Sequence, residues 1–149
     1  MESLNLPPYN IKVRDVNGHI QILDVLRHRY VALTPEEWVR QHFTNYLLEH
    51  LSYPAGLLAN ETEITIGQKR LRCDSVLYGT DMNPRMIIEY KAPSVKITQK
   101  VFDQIAAYNL LLHVDYLVVS NGMQHFCCKM DYDSNTYHFL QEIPSYSEL

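Results

Sequence analysis

The stretch Arg85–Lys91, RMIIEYK, constrains this chain more than any other. Begun after Asn83-Pro84 and stopped by Ala92-Pro93, it reads as a β-strand that is apolar on both faces around its charges. Alternate residues of a strand share a face, so Glu89 and Lys91 project together. The preceding extended run, Lys69–Tyr78, carries Asp74, and a turn through Gly79–Pro84 makes the two strands neighbours. Three charged groups thus converge where Val76, Leu77, Met86, Ile87 and Ile88 otherwise read as core. Burying an unpaired charge costs on the order of several kcal/mol after relaxation. The set therefore needs either mutual pairing or a metal.

The elements around this strand suggest how it is housed. Ile11–Asp15 and His19–Val25 alternate on either side of Asn17-Gly18, a strong β-hairpin signal. Thr34 reads as a helix N-cap, with Pro35 at the first helical position and Glu36 and Glu37 in the first turn. Val39, Phe43, Tyr46, Leu47 and His50 recur at helical spacing, so this helix runs to about Leu51. Extended runs follow at Glu61–Ile66 and Lys69–Tyr78, then the strand Arg85–Lys91. Thr98 to Leu112 forms a second, largely buried helix; Val114–Ser120 is a buried strand turned at Asn121-Gly122 into Met123–Lys129, and Thr136–Gln141 ends the sheet. The order predicts an α/β fold, an α/β/α sandwich around a mixed central sheet with an N-terminal β-hairpin. At 149 residues one domain is expected, with the hairpin as an extension over 1–30, a core over 33–130, and a final strand and tail over 131–149.

Phosphodiester hydrolysis gives such a charged set a purpose. Asp74 and Glu89 offer hard oxygen ligands for Mg²⁺, for which Mn²⁺ would substitute, and the Tyr90 carbonyl could add a further ligand. A cation held there would polarise the phosphate and acidify a water. Lys91 would orient that water or neutralise developing charge. Lys69, Arg70 and Arg72 lead into Asp74, while Lys96 and Lys100 flank the second helix; each could meet a phosphate or simply be solvated. An E-x-K pair alone is a weak signal, because a surface ion pair gives the same pattern for about 0–1 kcal/mol. The doubly apolar strand and the matching Asp74 make it stronger.

Asp74, then Glu89-Tyr90-Lys91, then Gln104 to Tyr108 (QIAAY) resemble the D…ExK…QxxxY pattern of RecB-like PD-(D/E)xK nucleases. More closely, TPEEWVRQHF, IIEYKAP, QIAAYN and YLVVSNG, in that order, resemble the N-terminal nuclease domain of type I restriction-enzyme R subunits. The resemblance spans about residues 33–130. It implies a restriction-endonuclease-like fold and a metal-dependent DNA endonuclease acting against foreign DNA. Asp74 and Glu89 become metal ligands, Lys91 the catalytic lysine, and Gln104 and Tyr108 neighbours that position DNA or water. In such nucleases an acid on the first helix often completes the metal shell. Glu37 fits a capping box with Thr34, whereas Glu36 projects beside Val39 and Phe43, so Glu36 is favoured. Arg40 and Gln41 would pair with these acids or reach the DNA backbone. The motif departs from the family in reading Cys73-Asp74 rather than Pro-Asp, and no P-loop is present, so translocation would need a motor partner. Expected partners are DNA and a translocase or specificity subunit, and double-strand cutting suggests a homodimer or two encounters.

Composition narrows the remaining classes. No apolar run approaches the ~18 residues of a membrane span, and the N-terminus lacks a signal-peptide core. Three cysteines, two adjacent, read as free thiols of a cytoplasmic protein rather than a disulfide or zinc framework. The formal charge of −4 argues against coating nucleic acid by bulk charge, but an empty carboxylate site is itself acidic. Among seven histidines no H-x-x-x-H pair occurs, and His113 and His125 read as ordinary residues. The alternative to a nuclease is a non-catalytic nucleic-acid-binding or assembly module that keeps the fold.

Overall fold

The computed structural model describes residues 1–149, except the side chain of Tyr108. Asn17 and Gly18 take φ of 54° and 83°, the left-handed backbone that a two-residue hairpin requires. They join β1 (Val13–Val16) to β2 (His19–Asp24), as the dipeptide predicts. A further strand, β3 (Arg29–Ala32), pairs antiparallel with β2 and makes the hairpin a three-stranded sheet. Its four residues are too few to show a periodicity.

Helix α1 (Pro35–His50) begins as its sequence dictates, with Thr34 Oγ1 accepting the Glu37 N–H at 3.1 Å. Val39, Phe43 and Leu47 bury one stripe against the main sheet. A second stripe, Glu37, Arg40, Gln41 and Thr44, is buried as well. The N-terminal sheet lies over it: Arg27, in the β2–β3 turn, reaches Glu37, and the Val25 N–H donates to Gln41 Oε1 at 3.4 Å.

The main sheet runs β4 (Leu58–Ile66), β5 (Lys69–Tyr78), β6 (Pro84–Tyr90), β7 (Tyr116–Ser120), β8 (His125–Asp131) and β9 (Thr136–Leu140) in spatial as in chain order. Only β6 and β7 are parallel, because helix α2 (Gln99–Leu112) crosses between them; the other neighbours are antiparallel. Phe102, Ala106 and Leu112 of α2 pack with Val76, Ile87, Leu117 and Val119 on one face. On the other, α1 packs with Leu77, Met86, Ile88 and Val118. Adjacent residues of β6 thus enter opposite cores, which is why the strand reads as apolar on both faces. The fold is the α/β/α sandwich around a mixed sheet that the element order predicts.

Besides a register shift between β5 and β6 at Leu77/Tyr78, the pleat of the main sheet reverses at one place. Ser75 and Leu77 face the α1 side, yet Cys73 and Leu71 lie in the α2 core, where strict alternation would not put them. The reversal falls at Asp74 and, across from it, at Glu61, whose φ is +52°. The flanking pairs Asn60–Ser75 and Thr62–Cys73 keep their register. Elsewhere the joins are tight: Gly122 has φ +85°, and a Cβ there would meet Leu4 Cδ2 at 2.8 Å. The three cysteines are buried and free. Among the described residues no helix is long and apolar enough to cross a membrane.

Asp24 ties the N-terminal sheet to the rest. Fully buried, it accepts the N–H groups of Leu26 and Arg27, pairs with the Arg27 guanidinium, and accepts from Asn60 Nδ2 at 3.3 Å. Asp24→Ala is expected to destabilise the protein by about 3 kcal/mol, toward the low end for a broken buried pair because Arg27 keeps contact with water. Urea unfolding should show a lower midpoint at an unchanged slope.

Candidate active site

A cleft of about 600 Å³ opens between the N-terminal sheet, the first turns of α1, the middle of β4 and β5 and the C-terminal end of β6. Strand β6 carries Glu89 and leads into Lys91, and β5 carries Asp74. The β5–β6 register pairs Ser75 with Ile88, so its continuation sets Asp74 opposite Glu89. There the ladder gives way, and the Tyr90 N–H donates to Asp74 Oδ2 at 2.9 Å instead of to a strand carbonyl. The β4–β5 register likewise sets Glu61 opposite Asp74. Three acids therefore form one row across β4, β5 and β6 at the point where the pleat reverses.

Their electrostatics differ sharply. Burial, then the charge of Asp74 and a hydrogen bond shared with it, push the Glu89 pKa far above the carboxylate range; Lys91 and Arg40 offset this only in part. Glu89 thus holds its proton more tightly than an ordinary carboxyl does. Glu61 moves the other way: despite some burial, Arg72 and Arg40 hold its pKa below the ordinary value. Arg72 Nε donates to Glu61 Oε2 at 2.7 Å, and Arg40 contacts Glu61 Oε1. The Arg40 side chain is 6% exposed, 3.3 Å from Glu37 Oε1 and 3.9 Å from Asp74 Oδ1. Against its burial, these three carboxylates keep it charged.

The cleft gathers Asp74, Glu89, Tyr90, Lys91 and Arg72 as the sequence suggests. Both Glu36 and Glu37 line it, but their orientations reverse the expectation. Glu36 is exposed at the rim, while Glu37 is buried between Arg27, Arg40 and Gln41, whose Nε2 donates to it at 2.9 Å. The apolar stripe alone assigns Glu37 to solvent; the N-terminal sheet, covering that side, makes it an inner residue. Only half of the expected capping box forms, because the Glu37 carboxylate turns to these partners instead.

Gln104 is also placed otherwise. Phe102, Ala106 and Asn109 take the sheet-facing stripe of α2, and Gln104 is exposed outside the cleft. The Tyr108 side chain lies outside the described residues. Lys69, Arg70, Lys96 and Lys100 are exposed and do not line the cleft. His125 is a structural pin, bonding Ser120 Oγ at 2.7 Å and the Asn5 carbonyl at 2.8 Å.

Sequence reasoning missed Glu61 and gave Arg40 to the helix acids or the DNA backbone, not to Glu61 or Asp74. No signal in ETEITI separates Glu61 from Glu63, since both alternate onto the polar face. Another cavity, of about 660 Å³, lies between the N-terminal segment and the C-terminal residues Leu140–Glu148; it gathers no comparable set of opposed charges.

The sequence model of the family described as type I restriction enzyme R protein N terminus matches residues 35–144. No curated protein matches. Among solved structures, a fragment assigned as an HsdR subunit of a type I restriction enzyme from Vibrio vulnificus YJ016 superposes with a TM-score of 0.56 at 21% identity. The match covers 78% of this chain but 24% of that one, so the chain spans about a quarter of that chain's length. At that identity the likeness speaks for the fold.

The raised Glu89 pKa has a consequence for stability. A carboxyl with a folded pKa above its unfolded value, near 4.5, favours folding most below that value and less as pH rises toward the folded one. In chelator, Glu89→Gln is therefore expected to melt a few degrees higher than the parent at pH 8, with the difference closing near pH 5. Thermal melts across that range read it directly; a parent melting point unaffected by Glu89→Gln at pH 8 would contradict it.

Proposed function

The chain belongs to the type I restriction enzyme R protein N-terminal family, and on that premise we propose that it is a metal-dependent DNA nuclease domain of the PD-(D/E)xK kind. The observation that carries the reading is the opposition of Asp74 and Glu89 in the cleft beside Lys91. Two apposed carboxylates in a partly dry site lack positive charge, and the raised Glu89 pKa reflects that lack. A divalent cation is the chemistry that such a pair fits. Mg²⁺ commonly binds through one or two carboxylates and fills its remaining positions with water and phosphate oxygens, so this short donor set suffices. Asp74 and Glu89 would hold it, with the Tyr90 carbonyl as a further candidate.

Bound there, the cation supplies Lewis-acid polarisation of a phosphodiester and acidifies adjacent water. The protein's own groups do the rest. The Tyr90 N–H fixes the Asp74 carboxylate, so its orientation costs nothing at the moment of reaction. Lys91, tied into the sheet by its N–H to the Ser120 carbonyl at 2.8 Å, presents its ammonium to water or to charge growing on the phosphate. Arg72, with 75% of its side chain exposed, stands where a DNA backbone would approach. DNA as substrate, a restriction role and delivery by a translocase or specificity subunit belong to the same proposal.

A second reading, a non-catalytic module that keeps the fold, is favoured by the outward placement of Gln104. Plasmid cleavage separates the two. With Mg²⁺ or Mn²⁺, and with a partner motor supplied if needed, the parent is expected to nick or cut DNA. Lys91→Ala and Asp74→Ala should lose at least about a hundredfold in rate while keeping the fold by circular dichroism. Activity surviving both substitutions would rule out this site as the nuclease centre.

A further inference from the structure

Glu61 sits in the acid row yet has no part in the proposed nuclease chemistry. It holds a left-handed backbone, φ +52°, in the middle of a strand, a conformation that is costly for a residue with a Cβ and needs a compensating reason. Both its oxygens are engaged: Oε1 by the Arg40 guanidinium and Oε2 by Arg72. Among the described residues no group of three acids, histidines or cysteines is disposed to hold a metal, and Glu61 faces the two arginines rather than Asp74 and Glu89.

What it touches instead is Arg40, whose guanidinium also lies beside Asp74. The nitrogen of Arg40 that contacts Glu61 lies 3.9 Å from Asp74 Oδ1, too far for a hydrogen bond. Arg40 Nε is buried without a hydrogen-bond partner, so the guanidinium has a donor left to satisfy. Without the Glu61 charge, Asp74 is the nearest remaining acid toward which Arg40 can turn from Glu37. A guanidinium closed onto Asp74 would occupy the oxygen a cation needs.

We propose that Glu61 is a positioning residue: by holding Arg40 it keeps the Asp74 carboxylate open to a divalent cation. The inference rests on Asp74 and Glu89 being the metal pair, and the test separates the two claims. Calorimetric titration with Mn²⁺ at fixed pH would compare the parent chain, Glu61→Gln, Arg40→Gln and the double variant. Glu61→Gln is expected to weaken binding about tenfold or more, the scale on which partners of a ligand act. In the Arg40→Gln background the same substitution should have no effect, because Glu61 acts only through Arg40. Should Arg40→Gln fail to fold, Arg40→Lys serves in its place; its single ammonium cannot fork between Glu37 and Asp74, so the Glu61→Gln loss should shrink. Glu61→Gln binding like the parent, or losing as much with Arg40 altered as with Arg40 intact, overturns the inference and leaves the metal pair standing. A parent that binds no Mn²⁺ overturns both.

Discussion

Arg40 carries a full charge almost wholly removed from water, and much of the molecule is arranged around that fact. The effective penalty for such burial is on the order of several kcal/mol, repaid only if acids surround the ion with good geometry. Here they come from three places: Glu37 on its own helix, Glu61 on β4 and Asp74 on β5. Glu37, itself buried, calls in Arg27 and Gln41; Arg27 in turn holds Asp24, which accepts from Asn60, and Asn60 accepts from Ser75. One chain of ionic and polar contacts thus joins the N-terminal sheet, α1 and the main sheet. It ends at Asp74.

That termination gives the site its character. Most buried polar groups along the chain have found partners, whereas the Asp74–Glu89 pair is short of positive charge, and the Glu89 pKa is raised accordingly. A buried polar network is stable when every member is satisfied, and its unsatisfied end is where a ligand has most to gain. The pleat reversal at Glu61 and Asp74 places that end on the cleft, where Lys91 and Arg72 also stand. The charges that fasten the N-terminal sheet therefore also set the field around Asp74.

Much of this was legible in the residues. Asn17-Gly18, Thr34-Pro35 and Asn121-Gly122 marked their turns and cap because the backbone conformations they favour are local properties. The apolar strands marked the sandwich because two-sided burial leaves its trace in composition. Asp74, Glu89 and Lys91 stood out because charges amid such strands demand an explanation. The side of α1 that faces inward did not stand out. A helix covered on one side shows one stripe; α1 is covered on two, and the second cover, the β1–β3 sheet, meets it through buried charges as well as through apolar residues such as Ile22 and Leu26. Hence Glu37 rather than Glu36 turned inward. Gln104 was assigned to the site by resemblance, and the packing of Phe102, Ala106 and Asn109 turned it outward.

The sequence by itself determined the order of elements apart from β3, the α/β/α layering and the strand pair that brings Asp74 to Glu89, since all three follow from local propensity and from periodicities of two and 3.6 residues. Tertiary structure alone decided the company those acids keep. Glu61 is indistinguishable from Glu63 along its strand, and Arg40 from any helical arginine. Only the reversed pleat and the overlying sheet single them out, because electrostatic energy depends on distance and burial, and neither is a property of the chain read in order.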